Sequence, residues 1–289
     1  MCGFVGFLLP EGAAQPDLDV WSACIRHRGP DQCGCATHGG FGLGTRRLSI
    51  LDLSPAGNQP MESERFILGF NGEIYNHLEL RAELQPVGVT GFKSHSDTET
   101  VLQAIARWGV RETLSRLNGM YALAIWDKAQ RELTLARDPL GTKPLLYVTT
   151  RQGTYFGSEL KALRAFTSGR VSREGMALYF TLGFAPAPYS LLEGVRKVRA
   201  GEAVVFRSGG ATGYRIKPRA WARPARPAPT LRAWVEQVRQ AVEAAVERQL
   251  LSDVPVGLFL SGGVDSAIIA AVASQRNPGL TSFSVRPDG

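Results

Sequence analysis

The chain has 289 residues, 44% of them hydrophobic, with 32 glycines and a formal net charge of +7 at pH 7. That length suits about two domains, and the composition is that of a soluble globular protein rather than a long disordered one. No apolar run approaches the roughly 18–20 residues of a membrane span, and the amino terminus lacks the charged start and apolar block of a signal peptide, so a cytoplasmic protein without a membrane partner is expected. The positive charge is not laid out as a stripe along a helix. Much of it lies in Arg215, Lys217, Arg219, Arg223 and Arg226, within a Pro- and Ala-rich, acid-free segment that reads as an exposed linker, and no nucleic-acid partner is expected.

In chain order, the first strand is expected at Cys2-Gly3-Phe4-Val5-Gly6-Phe7. If Met1 is trimmed, Cys2 carries a thiol and a free α-amine, a nucleophile and a base on one residue. At a reference pKa of about 7.7–8.0, roughly a tenth or more of that amine is neutral at pH 7. The alternative is a small buried strand residue. Cys24, Cys33 and Cys35 lack a second Cys/His pair at zinc spacing, and a disulfide framework does not suit a cytosolic chain of this size.

Short strands such as Phe66–Phe70 and Tyr121–Trp126 alternate with turn signals and are interrupted by helices at 78–84, 98–108 and 159–165, an α+β pattern. The expected divisions are a first domain over 2–208, a Pro/Arg-rich linker over 209–229 and a second domain beginning at 230. Thr230 is a good N-cap for a helix over 231–251. An apolar strand over 256–260, a helix over 267–274 and a strand over 281–285 then form the opening βαβ of a parallel α/β sheet.

Four segments of the first domain have unusual composition: Arg26–Asp31, read as a charged turn; Arg46–Asp52, read as a strand with cations at its start; Asn71–Asn76; and Ser94–Glu99, opening a helix. Thiolate attack on an amide needs donors for an oxyanion, and the Asn71 side chain with the Gly72 N–H would supply them. An amino-acid substrate needs a cation for its carboxylate, which suits Arg47 with a bidentate fork, and acids for its ammonium, which suit Glu73 and Asp97. The alternatives are a hairpin turn at Asn71-Gly72 and a helix cap at Ser96 or Asp97 with Glu99 completing the box.

In the second domain, Ser261-Gly262-Gly263-Val264-Asp265-Ser266 joins a strand to a helix and is read as a phosphate loop. It is not a Walker loop; its form is that associated with release of pyrophosphate from ATP. Ser261, Gly262, Gly263 and Ser266 would hold phosphates, and Asp265 would help hold Mg²⁺. A Gly-rich turn with Asp265 as a helix-start charge is the alternative.

These blocks, with Cys2-Gly3 and Arg137-Asp138-Pro139-Leu140-Gly141, resemble glutamine-hydrolysing asparagine synthetases of the bacterial type. The resemblance implies an α+β N-terminal nucleophile hydrolase, an αββα sandwich acting as a class II glutamine amidotransferase, followed by the first βαβ part of a parallel-sheet ATP-pyrophosphatase domain. It also implies that Cys2 releases ammonia from glutamine, with Leu48 and Ile50 lining the glutamine pocket and Leu260 near ATP. Aspartate would be the acceptor, activated as aspartyl-AMP, and a homodimer is compatible with this reading. Because family members carry a complete synthetase domain after this loop, the chain is expected to be a fragment, with Leu258, Leu260, Ile268 and Val285 exposing apolar surface. Relatives of the same fold that act on another carboxylate, and a truncated non-catalytic interaction protein, are the competing readings.

Overall fold

The protein is described by a computed structural model covering residues 1–207, 210–218 and 230–285. Most of the basic linker, with Arg219, Arg223 and Arg226, lies outside these described residues. The chain divides into two compact units, Met1–Trp221 and Ala222–Gly289.

In the first unit the elements run β1 (Gly3–Leu8), α1 (Leu18–Ala23), β2 (Gln32–His38), β3 (Phe41–Arg47), β4 (Met61–Glu62), β5 (Phe66–Ile74), α2 (His77–Leu84), α3 (Asp97–Trp108) and α4 (Val110–Arg116). They continue as β6 (Gly119–Asp127), β7 (Glu132–Arg137), β8 (Leu146–Thr149), β9 (Thr154–Gly157), α5 (Leu160–Leu163), α6 (Arg173–Leu182), β10 (Val195–Lys197), β11 (Glu202–Arg207) and β12 (Gly210–Arg215). Two six-stranded sheets result, with strand orders β10-β8-β9-β1-β3-β2 and β12-β11-β7-β6-β5-β4, and every pairing is antiparallel.

The alternation of side chains along a strand sorts the core into layers. Phe4, Phe41, Leu43, Ile67, Ala122, Ala124, Trp126, Leu135 and Phe156 meet between the sheets, where the Phe41 and Trp126 rings stack with centroids 4.9 Å apart. On the outer face of the second sheet, Leu68, Phe70, Leu123 and Ile125 pack under Leu80, Val101, Ile105 and Leu114 from α2, α3 and α4. On the outer face of the first, Phe7, Val148 and Tyr155 pack under Leu18 of α1 and Leu163 of α5. Both sheets are thus covered on both faces, and their central strands read as nearly continuous apolar runs.

Local signals fix the element ends. Ser96 accepts from the Glu99 N–H at 3.3 Å and caps α3, while Glu99 turns back to accept from the Lys93 and Ser94 N–H groups. The β2–β3 hairpin turns through Gly39, at φ +60°, and Gly40, where a Cβ would lie 1.9 Å from the Leu9 carbonyl oxygen.

The second unit contains α7 (Leu231–Gln249), β13 (Gly257–Phe259), α8 (Val264–Arg276) and β14 (Thr281–Phe283). Thr230 caps α7 by accepting from the Ala233 N–H at 3.2 Å. β13 and β14 pair in parallel around α8, the expected βαβ unit. Ile268 and Val285 are exposed, whereas Leu258 and Leu260 are half-buried. Among the described residues no helix is long and apolar enough to cross a membrane.

Three sequence expectations need correction. The Arg46-Arg47 pair ends a strand rather than starting one, because the Gly39-Gly40 turn begins β3 at Phe41, and residues 48–52 leave the sheet. Asn71-Gly72 is not a hairpin turn: both residues lie inside β5, paired with Ala122 and Tyr121. Helix α8 starts at Val264, so Asp265 and Ser266 occupy its first turn instead of preceding it.

Candidate active site

Strand parity brings the site together. On β5, Ile67 faces the space between the sheets, so Asn71 and Glu73 continue the same face; on β3, Phe41 and Leu43 do so, and Arg47 follows in phase. Cys2 is in phase with Phe4. Register aligns the ends: Gly3 pairs with Arg46, Asn71 with Ala122, and Ala122 with Arg137. Cys2, Arg47, Asn71 and Glu73 therefore gather at one end of the sandwich interior.

The Cys2 thiol lies against the Leu48 backbone, with the Leu48 N–H 3.4 Å and its carbonyl oxygen 3.5 Å from Sγ. Burial pushes this thiol up, partly offset by the Leu48 hydrogen bond and the nearby N-terminal amine. The Cys2 carbonyl accepts from Arg28 Nε at 2.9 Å, and Arg28 is held by Glu159 at 3.1 Å, which gives the Arg26–Asp31 segment a structural task. Ile50 is half-buried on the loop that follows, and Ser49 on the same loop donates its N–H to Asp31 at 2.9 Å.

Arg47 is buried, and its Nη2 donates to the Leu51 and Asp52 carbonyls at 2.8 and 2.7 Å. Those bonds take both Nη2 hydrogens, so a carboxylate would be met by the Nη1 N–H groups or the Nε–H, which point in different directions. Asn71 is 1% exposed, and neither its Oδ1 nor its Nδ2 has a hydrogen-bond partner among the described residues. A buried amide left in that state is costly, and it is the kind of orphan a bound ligand satisfies. At Gly72 a Cβ would lie 2.1 Å from the Met120 carbonyl oxygen, so the strand admits only glycine there.

Glu73 and Asp97 form a coupled acidic pair. Burial and the Asp97 charge push Glu73 up, against the pull of Lys143 and Arg47. Burial likewise pushes Asp97 up, against hydrogen bonds from the backbone; its Oδ2 accepts from the Ile74 N–H at 2.8 Å, tying the head of α3 to the end of β5. Two carboxyls with raised pKa values hold less than two full negative charges until a cation joins them.

Sequence reasoning missed Lys143. It is 6% exposed, and burial lowers its pKa, opposed by the charges of Glu73 and Cys2. Its backbone is fixed by the Arg137-Asp138 block: Asp138 Oδ2 accepts from the Lys143 N–H at 2.9 Å, and Arg137 Nε donates to the Lys143 carbonyl at 2.7 Å. The signal was present, since two charged residues six and five positions upstream form a turn around it. A cavity of about 650 Å³ lined by Leu8, Leu9, Trp126, Arg131 and Phe206 contains none of the predicted residues; its apolar walls and surface ion pairs carry no comparable chemistry.

In the second unit, Leu260 donates its N–H to the Phe283 carbonyl at 2.8 Å and leads into the Gly-rich loop. Ser266 Oγ donates to the Gly263 carbonyl at 2.9 Å, and Ser261 Oγ lies 3.1 Å from Ser266 Oγ. Gly262 has φ +80° with nothing within 4 Å of a Cβ position, and Gly263 caps α8 without a side chain to occupy its first N–H groups. That is a form fitting an anion. Asp265 is exposed, and among the described residues no three His, Cys, Asp or Glu side chains converge on a metal position, so any Mg²⁺ there needs phosphate oxygens to complete its shell.

Two facing antiparallel sheets with a helical layer on each outer face make the first unit an αββα sandwich, with a cysteine at the head of an inner strand. Residues 1–217 match the glutamine amidotransferase domain family, and the chain belongs to it. Residues 237–288 match the asparagine synthase family. The chain is 41% identical to asparagine synthetase [glutamine-hydrolyzing] 1 of Bacillus subtilis over 99% of its own length and 46% of that protein's. It is 37% identical to a putative asparagine synthetase [glutamine-hydrolyzing] of Mycobacterium bovis over 98% of its length and 47% of that protein's. It thus spans about half the length of the curated relatives it matches. A solved glutamine phosphoribosylpyrophosphate amidotransferase from B. subtilis is similar in fold, with a TM-score of 0.55 at 18% identity, covering 98% of this chain and 65% of that one.

Proposed function

We propose that the first unit hydrolyses glutamine to glutamate and ammonia, with Cys2 as nucleophile. Removal of Met1 frees the Cys2 α-amine, which takes the thiol proton; the sulfur bonds the side-chain carbonyl carbon of glutamine, and the oxyanion is held by the Asn71 amide and the Gly72 N–H. The C–N bond then breaks, ammonia leaves with a proton from the amine, and water releases glutamate from the thioester. Arg47 grips the substrate carboxylate, Glu73 and Asp97 its ammonium, and Leu48 and Ile50 line the pocket. The observation that carries this reading is the buried Asn71 amide, unbonded at both ends and in phase with Arg47 and Glu73 at the end of the sandwich where Cys2 begins.

The amide nitrogen is consumed, on this reading, in a glutamine-dependent asparagine synthesis that the chain performs as part of a two-site ligase. ATP supplies the adenylate that activates aspartate. Ser261, Gly262, Gly263 and Ser266 would hold its phosphates, Leu260 would lie near the nucleotide, and Asp265 would help hold Mg²⁺. The synthase-family match over residues 237–288 and the open, uncapped head of α8 support this part. Division of the chain at about 208 and 230, a cytoplasmic location and a homodimer belong to the same proposal, the division resting on the Pro/Arg-rich composition of the stretch between those positions.

The test is release of glutamate and ammonia from glutamine by the purified chain. Cys2→Ala is expected to reduce release to the uncatalysed background; release that survives the substitution would sink the glutaminase.

A further inference from the structure

Asp52 has a backbone and a set of contacts that the glutaminase chemistry does not use. Its φ is +59°, in the left-handed region, and the residue is 2% exposed. A non-glycine residue is uncommon in that region and persists where its surroundings over-determine it. Those surroundings are on two segments. Oδ1 accepts from the Ser54 N–H at 3.0 Å and from Ser54 Oγ at 2.5 Å, closing its own loop. Oδ2 accepts from Ser94 Oγ at 2.5 Å and from the His95 N–H at 3.1 Å, reaching a segment forty residues downstream.

Each side of that link ends on a residue of the candidate site. On the near side, the Asp52 carbonyl accepts from Arg47 Nη2, so the same residue that bridges the segments also sets the guanidinium. A Cβ at Gly57 would lie 2.5 Å from Arg47 Nη2 and 2.7 Å from the Asp52 carbonyl oxygen, which shows how closely the loop is wrapped on this contact. On the far side, Ser94 Oγ lies 2.8 Å from Ser96 Oγ, Ser96 caps α3, and the first residue of α3 is Asp97. Although burial opposes it, hydrogen bonds from Ser54 and Ser94 hold the Asp52 carboxyl well below the usual carboxylate range. It is therefore a permanent anion accepting at both ends, unlike the neighbouring Glu73 and Asp97.

We propose that Asp52 is a positioning residue that fixes the separation between Arg47 and Asp97, and so matches the site to the carboxylate and ammonium of one α-amino acid. This rests on the glutaminase reading for its consequence in turnover, but the coupling of the two segments stands on the contacts alone. Asp52 touches neither substrate nor the reacting sulfur. Its removal should loosen the grip on the amino-acid end and leave the chemistry at Cys2 nearly intact, which appears as a higher KM with little change in kcat.

The variants D52N and S94A separate this from a general loss of stability. Asparagine tolerates a left-handed backbone and keeps one oxygen for Ser54, but its NH₂ cannot accept from Ser94 Oγ or the His95 N–H and carries no charge toward His95 Nδ1, 3.6 Å from Asp52 Oδ2, so the link between the segments is weakened at each of these contacts. D52N is expected to raise the KM for glutamine at least about tenfold while kcat falls less than about threefold. S94A should move KM in the same direction by less, and the double variant should be no worse than D52N, since the Ser94 contact is among those that D52N already cuts. Hydrogen–deuterium exchange of D52N should show residues 48–54 and 93–99 losing protection together. Unchanged KM in both variants, or exchange that rises in one segment only, overturns the proposal. If D52N fails to fold, S94A decides by the same two measurements. If the wild-type chain does not hydrolyse glutamine, the glutaminase reading falls, and exchange still decides whether Asp52 couples the two segments.

Discussion

Asn71→Ala separates function from stability with opposite signs. The Asn71 side chain is 1% exposed and bonded at neither end among the described residues, so the folded state carries an amide removed from water without compensation. Such a group costs about 1–3 kcal/mol. Alanine removes that penalty and loses about 1 kcal/mol of packing and cavity energy, leaving a net gain of roughly 0–2 kcal/mol. At about 2–4 °C per kcal/mol for a domain of this size, Tm should stay level or rise by up to about 8 °C. Glutaminase turnover should fall about 10²–10³-fold, the usual cost of one oxyanion donor. The assay pairs a thermal melt with initial rates of glutamate release at saturating glutamine. A Tm that drops by several degrees would mean the amide is a structural bond donor, and a rate within a few fold of wild type would mean it does not face the reacting carbonyl. Either result refutes the argument.

Glu73→Gln tests the acidic pair through pH. The folded pKa of Glu73 is raised by burial and by Asp97, so between its unfolded and folded values the folded chain binds more protons than the unfolded one. Stability from this group is therefore present at low pH and lost as pH rises toward the folded pKa, by at most about 1.4 kcal/mol per pH unit. Denaturant melts of wild type at pH 5 and pH 8 should show that decline, and Glu73→Gln should reduce it; an identical pH slope in both proteins contradicts the assignment. At Gly72 the constraint is steric. Gly72→Ala places a methyl against the Met120 carbonyl and should cost about 1–3 kcal/mol, with loss of turnover as β5 shifts; an unaltered denaturation midpoint would show the strand is not held there.

What the sequence revealed depended on how many faces each element buries. The caps at Ser96 and Thr230 were legible, since a small hydroxyl before an amphipathic run has one strong use. The course of β5 was not. Phe66 to Phe70 is apolar throughout because helices cover one face and the other sheet covers the opposite one, so the alternation that would have carried the strand on through Asn71 and Glu73 was hidden. The glycine after Asn71 then resembled a turn, although its role is to let β5 pass close to Met120. Lys143 was not singled out, because its burial is produced by Asp138 and Arg137 folding the turn around it. Asp52 lay in a recognised segment, but its left-handed backbone has no signature in an aspartate preceded by leucine.

The charge pattern at the end of the sandwich explains why the site suits an amino acid better than a simple amide. Arg47 and Lys143 lie with Glu73 and Asp97 near Cys2, two cations and two acids in a largely buried setting, where Asp97 accepts from the Ile74 N–H and Arg47 Nη2 donates to the Leu51 and Asp52 carbonyls. A zwitterion adds one charge of each sign, so it pairs Arg47 and the acidic pair together without changing the net charge of the pocket. An amide with no α-carboxylate or ammonium leaves both unpaired in a shielded site, and sites built to bond a polar group reject analogues lacking it by about 10⁴–10⁵-fold. The raised carboxyl pKa values have the same origin, since burial disfavours the charged form of Glu73 and Asp97, and an ammonium held between them would favour it. On the proposed glutaminase reading, selectivity for glutamine lies in electrostatic completion of the site as much as in the shape of a pocket lined by Leu48 and Ile50.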